Sequence, residues 1–249
     1  MLDLGLTVAA EAPRVEPRSL VGRSIAACLC LAAHLGLALF ECVAHRQRLG
    51  FLRLLQRRIV VDQSVLLASD ALIQTLARLH LLLTVATVVA FLVWLHRANG
   101  NVAALRPEPL DFSPGRAVGS FFIPFLNLFL GYYAVQEVWQ GSDPAIRPSS
   151  GESYRTAHKS PLVLAWWLLF LVRGVPSWFI LVSSQAAGGE RLQRLIGLTE
   201  GQLATGVLTI PAAVAAIAVV FLVDQRQSAL IESLEEGPEA GPLGANTIV

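Results

Sequence analysis

The chain sorts its apolar and polar residues into long blocks. A helix crosses a hydrocarbon layer ~30 Å thick with about 20 mostly apolar residues, because each residue rises ~1.5 Å. Five blocks reach or approach that length: Ser24 to Ala44, Leu79 to Leu95, Ala117 to Gln136, Pro161 to Ser184 and Leu203 to Val223. None alternates with a period of two, as a membrane strand would, so each is predicted helical. The expected fold is all-α, a multi-pass transmembrane helical bundle with five hydrophobic helical segments. It occupies residues 20–231, between a polar N-terminal tail at 1–19 and an acidic, disordered tail at 232–249.

Two stretches complicate this pattern. The third segment holds Pro124 and Asn127 within Phe121 to Leu128. Proline frees a carbonyl inside a helix, and backbone polar groups are not left unpaired in lipid. The segment therefore either spans with a kink or dips in and returns, and the sequence leaves both open. The connection from His45 to Arg78 divides in two. Its first half sets Arg46, Arg53 and Arg57 on one helical face and Leu52, Leu55 and Ile59 on another, the pattern of a helix lying flat on a membrane surface. Its second half, from Ser64, has neither Gly nor Pro and is predicted to run into the second span as one helix.

Composition names the solvent. The chain is 54% hydrophobic and 15% charged, against ~45–50% and ~25% in soluble domains. That is too few charges for a polar shell, so the lipid bilayer is the expected surrounding. A net charge of +1 argues against a nucleic-acid partner, which calls for a basic domain or stripe. Cys28, Cys30 and Cys42 all fall in the first block; they make no disulfide framework and read as small apolar residues. Lys159 is the single lysine among 19 basic residues, a bias that accompanies GC-rich bacterial genomes, and the expected location is the bacterial plasma (inner) membrane. Counting basic residues in the connections gives ten against eight whether five segments cross or four cross with a re-entrant third. Both arrangements place the C-terminal tail in the cytoplasm.

Candidate chemistry is a matter of depth. No phosphate-binding, dinucleotide, hydrolase or zinc signature is present, and no cofactor or metal is expected. His34, Asn127 and Arg173 lie near the middle of their segments, and an ionisable group there costs ~2.5–3.5 kcal/mol or more. Glu41, seven residues from His34, shares its helix face ~10 Å along the axis, within reach of Arg173 if the fourth helix tilts. The cluster His34, Glu41, Asn127 and Arg173 is either a proton, ion or ligand site or a structural lock between helices. Trp94, with Arg97 just beyond it, reads as an interfacial anchor, as do Trp139, Trp166, Trp167 and Trp178. His80 and His96, at the two ends of the second segment, read as interfacial as well.

The span closing on Trp94-x-x-Arg97-Ala98-x-x-Asn101 is followed by Ser113-Pro114-Gly115-Arg116 and then Phe121-Phe122-Ile123-Pro124-Phe125-Leu126-Asn127-Leu128. Trp139 and the pair Trp166-Trp167 come next. In this order the chain resembles the bacterial integral-membrane family catalogued as domain of unknown function 4328, over about Leu20 to Ile231. The resemblance marks Trp94, Arg97, Asn101, Pro124 and Asn127 as family-motif residues. It implies a fold and a compartment and supplies no reaction.

The leading expectation is a non-enzymatic structural or interaction component of the membrane, partnered by lipid, by other membrane proteins or by its own copies. The rival is a small transporter or channel component with His34, Asn127 and Arg173 lining a midplane polar site. What separates them is whether those three residues converge on a cavity or face separate seams.

Overall fold

The computed structural model describes residues 17–123, 125–176 and 191–235. Three helices dominate: α1 (Val21–Gln56), α2 (Gln63–Leu105) and α6 (Arg191–Glu235). They have 36, 43 and 45 residues and are each long and apolar enough to cross a membrane. At ~1.5 Å per residue they run about 54, 65 and 68 Å, well beyond a ~30 Å hydrocarbon core. Between α2 and α6 lie α3 (Pro114–Gly119), α4 (Asn127–Gly141) and α5 (Pro161–Val172).

Long-range hydrogen bonds fix the directions. At one end, called the near end, the Asn101 side chain of α2 bonds the backbone of Arg18 and the Gln227 side chain of α6. At the far end Arg53 of α1 meets Glu200 of α6 at 2.9 Å, and Gln56 meets Gln193 at 3.0 Å. So α1 runs from near to far, α2 returns, and α6 runs from far to near. Residues 17 and 235 therefore stand at the same end. The principal core joins Ala27 and Leu31 of α1, Trp94, Leu95 and Val102 of α2, Val135 and Val138 of α4, Trp166 of α5, and Val219 and Val220 of α6.

The third hydrophobic segment is a hairpin rather than one helix. Its entry is capped: the Ser113 hydroxyl accepts from the Arg116 amide, with Pro114 at the first helical position, where a missing N–H costs nothing. The chain then turns over residues 120–126 and returns as α4. Phe125 takes a left-handed φ of 63° at the turn, a conformation costly for a bulky side chain; Pro124 lies outside the described residues. The end of α4 comes back to the end of α2. The Arg106 guanidinium donates to the carbonyls of Gly141, Asp143 and Ile146, satisfying acceptors that a helix C-terminus leaves free. The Glu137 carboxylate accepts from the amides of Asp111 and Phe112 and from the Tyr154 hydroxyl. Both ends of the hairpin thus lie at the near end, as the dip-and-return alternative requires.

These near-end connections form a bonded layer of their own. Arg155 grips Asp111 with two bonds of 2.7 and 2.9 Å, which holds the Asp111 carboxyl below the usual carboxylate range. Burial, then the neighbouring Glu137 carboxylate, pushes the Tyr154 phenol up.

The fourth segment also breaks. Ser160 caps the Val163 amide with Pro161 at the first position, and α5 then runs inward only to Val172, where Arg173 and Gly174 form a turn. The chain reappears at the far end as Arg191 of α6; Trp178 lies outside the described residues.

Two further expectations are corrected. The stretch with Arg46, Arg53 and Arg57 does not lie flat on a surface. It continues α1, because Leu49 and Leu52 find an apolar partner in Ile196 of α6, and α1 stops only at a left-handed Arg58 with bonds Arg58 N–H to Leu55 O and Ile59 N–H to Leu54 O, a Schellman termination. Trp94 is not an interfacial anchor either. It is 0% exposed and packs on Phe91, while Trp166 and Trp167 are also buried. The second helix does run unbroken from Gln63, as the pattern predicts.

Candidate functional site

The spacings along α1 and α2 build one side of a polar seam. His34, Glu41 and His45 follow at intervals of seven and four, share a face, and are 7%, 9% and 8% exposed. On α2, His80, Thr84 and Thr87 form a matching row. The two rows meet: His80 Nδ1 lies 3.0 and 3.1 Å from the Glu41 carboxylate oxygens, and the His34 and His80 rings touch edge to face with centroids 4.9 Å apart. The Thr87 hydroxyl is satisfied locally by the Leu83 carbonyl at 2.7 Å.

The opposite wall comes from α6 and from the two breaks. α6 presents Thr209, Ala212, Ala213 and Ala216, small residues that leave space. Near the middle it approaches α1 so closely that a Cβ on Gly206 would stand 2.9 Å from Cys42 Sγ. The start of α4 delivers Asn127, and the end of α5 delivers Arg173, whose guanidinium lies 5.0 Å from the Phe170 ring centre.

These elements enclose a cavity of about 230 Å³, lined by His34, Thr84, Asn127 and Arg173 among largely apolar neighbours. It is larger than a 150 Å³ apolar cavity able to take benzene. Two of its lining residues, Val88 and Phe122, are 45% and 68% exposed, so the cavity opens on the outer surface of the bundle. A second cavity of about 230 Å³ lies beyond the histidine pair toward the far end, between Glu41, His45, His80 and Gln202; Thr209 borders both.

Several polar atoms here have no hydrogen-bond partner among the described residues: His34 Nδ1, His45 Nδ1, Thr84 Oγ1 and Asn127 Oδ1. Buried polar groups are nearly always paired, and a bound group or water is the usual reason for such a cluster of exceptions. Arg173 meets no carboxylate among the described residues. No group of three His, Cys, Asp or Glu side chains suited to a metal occurs among the described residues.

The predicted cluster is therefore brought together, with its pairing changed. His34, Asn127 and Arg173 share one cavity, whereas Glu41 turns to His80 and not to Arg173. His80 is a member of the seam rather than an interfacial residue, a role that a single-helix reading misses because its partner sits on α1. His45 was legible, since it continues the His34–Glu41 face by one turn.

At the near end the motif residues take separate tasks. Asn101 bonds Arg18 and Gln227, Gln227 reaches on to the Ala98 carbonyl and Ser142, and Arg97 faces outward beside Arg18, Arg23 and His96. The family described as Domain of unknown function (DUF4328) matches residues 57–225. The chain belongs to this family. The DUF4328 match takes in α2 to α5 and most of α6, so it includes every cavity-lining residue except those of α1. No curated protein and no solved structure matches the chain.

Proposed function

We propose that this DUF4328 protein is a non-enzymatic membrane protein that takes an amphipathic anion from the bilayer into its midplane cavity, as a carrier or a component of one. The observation that carries the reading is the convergence of His34, Asn127 and Arg173, from α1, the start of α4 and the end of α5, on one cavity. A packing lock would set these groups against partners on facing helices; instead His34 Nδ1 and Asn127 Oδ1 have no hydrogen-bond partner among the described residues. Arg173 supplies a positive charge that no carboxylate among the described residues meets, in surroundings of low dielectric where a ligand's charge would be strongly held. The apolar walls suit an alkyl or aryl body, and the mouth between Val88 and Phe122 suits entry from lipid.

Broken helices whose ends meet near mid-membrane recur in carriers, because irregular backbone is tolerated there when it lines a cavity. The Glu41–His80–His34 contact links the two cavities with groups able to hold or pass a proton. With four crossings the near end carries ten of the connecting basic residues and the far end eight, which favours a cytoplasmic near end; the setting is then the bacterial inner membrane.

Thermal unfolding of the detergent-solubilised full chain tests this with dodecanoate against dodecanol. Dodecanoate raises the midpoint, dodecanol does not, and Arg173→Gln abolishes the difference while remaining folded. Equal responses to the two additives, or an undiminished dodecanoate response in the folded Arg173→Gln protein, would overturn the proposal.

A further inference from the structure

A second positive site lies at the near end, separated from the midplane cavity by Leu92, which borders both. Arg18, Arg23, His96 and Arg97 line a groove of about 500 Å³ whose remaining walls are Leu92, Val93 and Val118. None of the three arginines pairs with a carboxylate among the described residues. The charges that act on Arg97 are those of Arg23 and Arg18, both of like sign. Three guanidinium groups gathered with no counter-charge among the described residues repel one another, and an anion joining them relieves that repulsion.

The gathering is built into the backbone. The Arg18 peptide is clamped by one side chain: its N–H donates to Asn101 Oδ1 at 3.1 Å, and its carbonyl accepts from Asn101 Nδ2 at 2.9 Å. Asn101 stands one helical turn beyond Arg97, so both project from one face of α2 and Arg18 is held beside Arg97. Asn101 is itself fixed by Gln227 at 3.0 Å. α1 begins immediately afterwards with no side-chain cap at Leu20, and its free amides add positive potential to the same corner.

Below the charges the groove is apolar. Val93 is 49% exposed, and Leu92 belongs both to this groove and to the midplane cavity wall. A soluble anion has no use for such a floor, whereas a phospholipid would set its phosphate among the arginines and lay an acyl chain over Val93 and Val118.

We propose that Arg18, Arg23 and Arg97 form a binding site for the phosphate-bearing headgroup of an anionic bilayer lipid, with Asn101 as the residue that positions Arg18. The two motif residues Arg97 and Asn101 then serve one site, the first by contact and the second through the backbone it holds.

Native mass spectrometry of the full chain, titrated with phosphatidylglycerol, phosphatidylcholine or inorganic phosphate, tests it. Phosphatidylglycerol binds about tenfold or more tighter than phosphatidylcholine, and the double variant Arg23→Gln/Arg97→Gln loses that preference, on the scale expected for removing two interfacial arginines. Arg147→Gln, an exposed near-end arginine outside the groove, keeps the preference, and so does Arg173→Gln, which separates this site from the midplane one. Equal binding of the two lipids would overturn the proposal. So would a preference that survives the double variant, or inorganic phosphate competing as well as the lipid, which would mark a site for free anions.

Discussion

Gly141 shows how closely single atoms constrain this bundle. A Cβ there would run into Val102 Cγ1, at the point where the end of α4 meets α2 and Arg106 caps it. Gly141→Ala is expected to lower stability by about 1–3 kcal/mol through overpacking, read as a fall in the thermal midpoint in detergent. Val102→Ala placed in the same chain makes room for the new methyl and should return part of the loss. A further fall in the double variant would mean that the strain lies elsewhere. Gly131 faces the same limit, with Trp167 Cη2 2.5 Å from its would-be Cβ; here the indole also donates to the Leu128 carbonyl at 2.9 Å, so the ring cannot swing aside without giving up a bond. Neither close contact shows in the sequence, where Gly131 lies within an apolar run and Gly141 in the polar stretch Gln140-Gly141-Ser142-Asp143.

At the scale of elements, the hairpin of α3 and α4 depends on one guanidinium. Arg106 spreads three donors over the carbonyls of Gly141, Asp143 and Ile146. A lysine ammonium cannot reproduce that fork. Arg106→Lys is therefore expected to destabilise nearly as much as Arg106→Ala, by about 2–4 kcal/mol, since both leave carbonyls unsatisfied. Unfolding of the two variants side by side checks this, and a lysine variant close to the parent would show that charge alone suffices. The hydrophobic blocks were legible because a helix able to cross a membrane needs a long apolar run, and α1, α2 and α6 are long and apolar enough. Where the blocks break was only half legible. Pro124 and Asn127 announced trouble in the third segment, whereas the fourth was expected as one block from Pro161 to Ser184 and its turn at Arg173-Gly174 was not foreseen; whether the third segment returns is decided by Glu137, Arg106 and Tyr154. Arg106 and Tyr154 sit in connections and Glu137 on α4, and no periodicity reveals their long-range partners. The arginine-bearing stretch after Ala44 misled for a related reason: an apolar stripe fits lipid or another helix equally well, and only the position of Ile196 chooses.

For the whole molecule, the hairpin sets the topology. Pro107 and Ser149 belong to connections at the near end and Gln63 to the far end, so single cysteines at these positions, in a chain with Cys28, Cys30 and Cys42 replaced, should divide two to one. An impermeant maleimide is expected to label positions 107 and 149 from one side of oriented vesicles and position 63 from the other. If 107 and 149 react from opposite sides, the third segment crosses the membrane after all.

The central place of α6 has a consequence for how the protein is made. Its residues close the midplane cavity, bond Asn101 through Gln227, and give α1 its far-end partners Glu200 and Gln193. Yet α6 leaves the ribosome after every element it covers. Until then Arg173 and Asn127 have no opposite wall, and the polar faces of α1 and α2 have only each other. Before α6 is made, the Glu41–His80 contact is the bond that joins the polar faces of α1 and α2, and the seam they form is complete only when the last helix has been synthesised.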